Sequence, residues 1–429
     1  YLGWERKRGL ITQFNRFLLY GENGNFNTNT INRENIKDIK YSISCSISGE
    51  EQIYCYSALI LYDDLMTLGH QPSQNIAEEQ NLSVRELRER GMDVVVYDNL
   101  STGHIEAIGD TPFVKGDLFD VELLRKTFRD YKVDSVIHFA AYSLVGESMT
   151  NPAKYYHNNV AGTLSLLDAM IAEDVKYLVF SSSAATYGDC GDGLITEESP
   201  QNPTSVYGQT KLMMEQFMQD YDKAYGMKYV ALRYFNAAGA HISGEIGEAH
   251  NPESHLIPLI LQVPNGKREQ INIFGEDYPT HDGTCIRDYI HVTDLADAHI
   301  RALEYLKNGG KSTHYNLGNG NGFSVKEVID TVEKVVGSEI KRNIVDRRAG
   351  DPASLVASSD KIKRELGWKP KFDSLETIVA SAWKWHSTHK DGFNNYLLSF
   401  WPSNFTPFSS YASKICSYRI FCILKIVIH

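Results

Sequence analysis

Between positions 85 and 393 the hydrophobic residues fall into short runs rich in Val, Ile, Phe and Tyr, separated by longer mixed stretches. The runs lie at 92–98, 113–115, 133–138, 177–183, 230–235 and 313–317. Most are near-continuous rather than alternating, which predicts strands buried on both faces of a parallel sheet. The intervening stretches carry helix signals. Residues 84–91 read as the last turns of an amphipathic helix with a glycine stop, and the chain after Pro203 has helical character. Strands alternating with helices predict an α/β fold: a Rossmann-like doubly wound parallel sheet with a smaller α/β substrate domain.

The ends break the pattern. Residues 20–35 are Asn-rich and polar and read as a disordered loop. Residues 54–68 read as a short apolar helix or strand before a turn at Gly69. After Asn394 an aromatic, Ser-rich tail shows no recognisable pattern. The expected layout is an unassigned 1–84, read as disordered or as a gene-model artefact because the chain begins at Tyr1. A nucleotide domain follows at 85–235, rejoined by elements from about 285–318. A substrate domain spans 236–393, and the tail 394–429 is unassigned.

Composition narrows the classes. A length of 429 residues allows two domains with large cores, and 42% hydrophobic with 23% charged residues is ordinary globular usage. The net charge of −11 argues against a nucleic-acid partner. Six cysteines without a C-x-x-C pair fit a reduced, cytoplasmic protein without structural zinc, and no metal is expected. The apolar run 420–428 is too short to span a membrane and contains a lysine, so no membrane association is expected.

Chemistry gathers at 177–215. The run 177–183 ends in Ser181-Ser182-Ser183, and open α/β sheets bind ligands at that edge. Tyr207 and Lys211 stand four residues apart, on one helix face. A tyrosine titrates near 10, so acting as a base near pH 7 requires about 4 kcal/mol of phenolate stabilisation, part of which an ammonium supplies. The plain alternative is a half-exposed Tyr and Lys on an ordinary helix. Asp98 ends the run 92–98; an acid there hydrogen-bonds the adenosine ribose of NAD, or simply forms a turn. The Gly-rich fingerprint belongs roughly 20 residues earlier, yet no glycine lies between Gly69 and Gly91.

From about residue 85 to about residue 392 these motifs resemble the extended short-chain dehydrogenase/reductase family, and within it the UDP-glucose 4-epimerases. The resemblance implies NAD as cofactor, UDP-glucose and UDP-galactose as substrates, and a homodimer. It makes Ser183, Tyr207 and Lys211 catalytic, the last two also touching cofactor. Further cofactor contacts are Asp98, Asn99, Asp117, Leu118, Phe139, Ala140, Ala141 and Asn159. UDP-sugar contacts are Ser183, Tyr207, Asn236, His255, Leu256 and Phe274, with Arg287, Arg348 and Asp351. Paired arginines suit bidentate recognition of phosphate. His138 and His291 are expected to be structural. Leu355 falls where some members have Tyr, and a smaller side chain there is associated with tolerance of N-acetylated UDP-sugars such as UDP-N-acetylglucosamine. A dehydratase would need an Asp-Glu pair where Ala184 and Ala185 stand. The remaining rival is a relic of the family that cannot hold NAD.

Overall fold

Seven strands lie side by side in one fully parallel sheet: β1 (Asp93–Asp98), β2 (Phe113–Lys115), β3 (Ser135–His138), β4 (Tyr177–Ser183), β5 (Lys228–Tyr234), β6 (Thr313–Leu317) and β7 (Arg419–Ile423). Their order is β6-β5-β4-β3-β7-β1-β2. This computed structural model describes residues 76–101, 104–191, 193–249, 253–348, 352–395 and 419–423, all within the unit Pro72–His429. The readings made for residues 1–75 lie outside the described residues.

Strand alternation sends successive side chains to opposite faces, and both faces are covered. On one, Val94, Val96, Ile137, Val179 and Val230 pack with Leu82 and Leu87 of α1 (Ile76–Glu89) and Leu295, Ile300 and Leu303 of α5 (Val292–Lys307). On the other, Val95, Val136, Leu178, Phe180 and Ala231 pack with Leu124 and Phe128 of α2 (Val121–Tyr131), Leu166 and Met170 of α3 (Gly162–Ala172), and Met214 and Met218 of α4 (Val206–Tyr225).

The tail that showed no pattern contributes a strand. β7 runs parallel between β1 and β3, pairing Asp93 through Tyr97 with Arg419 through Ile423, and Ser135 through His138 with Ile420 through Ile423. In a 3-2-1-4 sheet that slot belongs to the first strand of the fold. Local pattern could not place it, because four apolar residues after Arg419 carry no mark of which strands they will join. Among the described residues no Gly-rich turn links β7 to α1.

The second lobe is built from short pairings. Strand 236–238 pairs with 289–291, 271–274 with 342–345, and 286–287 with both 323–324 and 354–355. Helices Leu256–Leu261, Val325–Val336 and Leu375–Thr388 enclose its core of Ile260, Ile273, Val328, Ile329, Val332 and Ile378.

Candidate active site

β4 brings the serine cluster to the carboxyl edge of the sheet. Ser183 closes the strand in an extended conformation, and its Oγ accepts the Ala185 amide at 3.2 Å, which turns the chain into the short helical turn 184–186. α4 begins where Ser205 caps it, its Oγ accepting the Gly208 amide at 3.1 Å. A Cβ on Gly208 would stand 2.2 Å from the Ala185 carbonyl oxygen. Glycine is therefore what lets the first turn of α4 touch the chain just beyond Ser183.

Tyr207 and Lys211 both turn inward and are 5% and 2% exposed. The Lys211 Nζ donates to the Ser181 carbonyl at 2.7 Å and lies 5.9 Å from the centroid of the Tyr207 ring. One ammonium thus joins the serine strand to the tyrosine. The Tyr207 amide donates to Ser148 Oγ at 3.1 Å, and its ring packs with Leu144 and Tyr155. Tyr155 is the contrasting case. Burial, reinforced by its 2.7 Å hydrogen bond to Glu147, holds that phenol protonated far above its ordinary range. Beside the neighbouring Tyr207 ring stands the Lys211 ammonium.

Asn159 splices the loop after β3 to α4. Its side chain accepts from the Tyr142 amide at 2.7 Å, donates to the Tyr142 carbonyl at 2.9 Å, and donates to Thr210 Oγ at 3.1 Å. It sits in a π-helical segment, Tyr156–Ala161, of the kind that often marks functional sites. Phe139, Ala140 and Ala141 are buried along the strand end they follow. His138 is fully buried with Nε2 3.0 Å from Thr163 Oγ, a core position.

At the far side of the sheet Asp98 is 0% exposed, and its Oδ1 accepts the Leu100 amide at 2.5 Å. Asn99 donates to Asp117 Oδ2 at 2.9 Å, and Leu118 lies buried beside it. A buried acid with an Asn–Asp pair at one end, and small residues with the Tyr–Lys pair at the other, fit the two ends of a dinucleotide laid along the carboxyl edge.

In the second lobe Asn236 follows β5, whose Tyr234 is in register with Ser183, so both reach the same edge. The Asn236 side-chain Nδ2 donates to the Asp288 carbonyl at 2.8 Å. The Arg287 guanidinium donates to the carbonyls of Ile286 and Pro352 at 2.8 and 2.9 Å, and Arg348 stacks over Phe274 at 3.9 Å. His255 precedes the helix starting at Leu256. Burial opposes its charge, but Glu248 at 2.5 Å and Glu253 at 3.2 Å overcome it and hold the imidazolium well above its ordinary range. These three side chains bring ligand-type atoms within 4.8 Å of one another. Asp351 lies outside the described residues.

Asp288 went unremarked as a functional residue in the sequence. Its buried carboxylate accepts the amides of Asn319, Gly320 and Ala357 at 2.7, 3.2 and 3.1 Å, which ties the Gly-rich loop 318–322 to the strand of Arg287. Its adjacency to Arg287 was the signal that could have found it. His291 bonds Ser381 at 3.1 Å and is pushed down to about 4 by burial, a structural role.

The family model for the NAD dependent epimerase/dehydratase family matches residues 81–318. A short second match, to the sporulation protein Cse60, covers residues 22–64. The chain is 55% identical over 308 residues to UDP-glucose 4-epimerase of Halalkalibacterium halodurans, covering 72% of this chain and 92% of that one. It is 53% identical over 315 residues to UDP-glucose 4-epimerase of Streptococcus mutans, covering 73% and 95%. Among solved structures, UDP-glucose 4-epimerase from Brucella ovis in complex with NAD matches with a TM-score of 0.71 at 45% identity, covering 74% and 96%. The Bifidobacterium longum enzyme in complex with NAD+ and UDP matches at 0.69 and 37%, covering 74% and 98%.

Proposed function

The chain belongs to the NAD dependent epimerase/dehydratase family, and on that premise we propose that it interconverts UDP-glucose and UDP-galactose at C4. The observation that carries this reading is the Lys211 ammonium, held at 2.7 Å on the serine strand beside Tyr207, with Ala184 and Ala185 where a dehydratase needs acids. The relatives named UDP-glucose 4-epimerase, at 50–55% identity, support the same substrate pair.

Asp98, Asn99, Asp117, Leu118 and the small residues Ala140 and Ala141 would hold NAD, which when bound would supply the hydride chemistry at C4. The Tyr207 hydroxyl oxygen takes the proton of the C4 hydroxyl, with Lys211 stabilising the phenolate and Ser183 Oγ sharing the proton. Asn236, Arg287 and Arg348 hold the UDP diphosphate, with Phe274, His255 and Leu256 around it, while the sugar presents its other face. Tyr207 then returns the proton to the product hydroxyl.

Val145 and Met149, four apart on the helix Val145–Thr150 and 45% and 56% exposed, support a homodimer, which light scattering of the purified chain checks. The absence of a C-x-x-C pair among the six cysteines supports a reducing, cytoplasmic setting, and no described helix is long and apolar enough to cross a membrane. The deciding experiment denatures the purified protein, assays the released NAD, and follows UDP-galactose conversion. One NAD per chain with UDP-glucose as product is expected. A chain that folds, carries no NAD and turns over nothing sinks the reading, as does a dehydrated keto-deoxy sugar product.

A further inference from the structure

One helical turn beyond Lys211 and two beyond Tyr207, α4 turns Glu215 toward the same face. Its carboxylate is 3% exposed and is closed by three donors: Ser182 Oγ at 2.5 Å, Arg233 Nε at 3.0 Å and Arg233 Nη2 at 2.5 Å. The strand register sets Ser182 of β4 opposite Arg233 of β5, so both reach α4 together and meet on one carboxylate. The three elements joined here are those that carry Ser183, the Tyr207–Lys211 pair and, just past its end, Asn236. The knot also extends outward. Arg233 Nη1 donates to the Tyr187 hydroxyl at 2.8 Å, which donates to Asn316 Oδ1 at 2.7 Å, and Asn316 donates to the Ile195 carbonyl at 3.1 Å.

A buried ion pair is weak evidence of stability, because desolvation offsets the attraction, and apolar residues of similar volume would hold α4 on the sheet as well. What apolar contact lacks is direction. A guanidinium fork on a carboxylate fixes both the rotation of the helix about its axis and its position along it. A proton that passes between Tyr207, a substrate hydroxyl and Ser183 is sensitive to misplacements of an ångström.

We propose that Glu215, Arg233 and Ser182 are positioning residues of the catalytic site, a buried charged clamp that sets the Tyr207–Lys211 helix against the Ser183 strand. The proposal rests on the epimerase reading above, which the parent chain's own turnover of UDP-galactose decides separately. Its test compares the parent with Glu215→Met/Arg233→Met, Arg233→Lys and Ser182→Ala, measuring kcat and KM for UDP-galactose, bound dinucleotide, and amide hydrogen exchange at residues 206–211. The double variant, apolar and volume-matched, is expected to fold and hold dinucleotide as the parent does, with KM within about threefold and kcat down by roughly tenfold or more. Ser182→Ala, which removes one hydroxyl, is expected to lower kcat about three- to tenfold at unchanged KM and to speed exchange at 206–211 by roughly tenfold. Arg233→Lys keeps the charge without the fork and is not expected to restore kcat. A folded double variant with kcat within about twofold of the parent overturns the proposal; should it fail to fold, the same result for Ser182→Ala does so. If the parent turns over nothing, unchanged exchange at 206–211 in Ser182→Ala overturns the proposal on its own.

Discussion

His299 lies on α5 beneath the strand that receives Lys211. It is 0% exposed, its Nδ1 faces the Leu295 carbonyl at 2.9 Å, and its Nε2 lies 3.4 Å from Ser181 Oγ. The carbonyl requires the proton on Nδ1 and leaves Nε2 as the acceptor in the neutral ring. Burial pushes the pKa down to about 4, against an upward pull from the Leu295 bond. An unfolded histidine titrates near 6.5, so on acidification the unfolded chain takes the proton first. Stability from this group is complete above pH 6.5 and is lost as pH falls toward 4. Between those two values the linkage relation gives a loss of about 2 kcal/mol at pH 5. His291 and His314, both also lowered to about 4 chiefly by burial, triple this to about 6 kcal/mol, comparable with a whole domain's stability. Denaturant unfolding at pH 7.5 and pH 5 of the parent and His299→Asn isolates one term. The variant is expected to start less stable but to lose about 2 kcal/mol less between the two pH values. His255 acts with the opposite sign, its stabilisation being present below 6.5 and lost as pH rises through its raised value, and it cancels in the comparison. Equal losses in the two proteins, within about 0.5 kcal/mol, would refute the argument.

Four other outcomes follow from the geometry. Tyr207→Phe removes the proposed base and is expected to cut kcat by about 100-fold or more in a coupled UDP-galactose assay, with bound NAD retained. Gly208→Ala forces a methyl onto the Ala185 carbonyl oxygen and is expected to cost about 1–3 kcal/mol in denaturant unfolding and to lower kcat as well. Asp98→Ala is expected to empty the protein of NAD, read as the nucleotide released on denaturation, while the melting curve stays cooperative. Removing residues 396–429 deletes β7 and its nine register pairs with β1 and β3; loss of a single cooperative unfolding transition is expected, with fast amide exchange at Val95, Val96 and Ile137.

Much of the sheet was legible because a strand buried on both faces must be apolar over most of its length, as 177–180 is whatever surrounds it. Tyr207 and Lys211 were legible for a related reason: helical spacing alone puts residues four apart on one face. Asp288 is different. It was a polar residue in a run whose importance comes from the backbone amides of Asn319, Gly320 and Ala357, far away in sequence. The tail strand shows the same limit, since its five residues would read alike at a sheet edge or in a hairpin.

The sequence by itself thus determined the alternating α/β plan, the serine strand end, the Tyr–Lys face and the acid at Asp98, because each depends on residue type at short, regular spacing. Only the tertiary structure decided that residues from the far end of the chain close the sheet between β1 and β3, and that Ser182, Glu215 and Arg233 meet in one buried clamp. Those outcomes depend on which strands become neighbours and in what register, and pairing across 18 to more than 300 residues is chosen by the packing of the whole lobe rather than by any local preference.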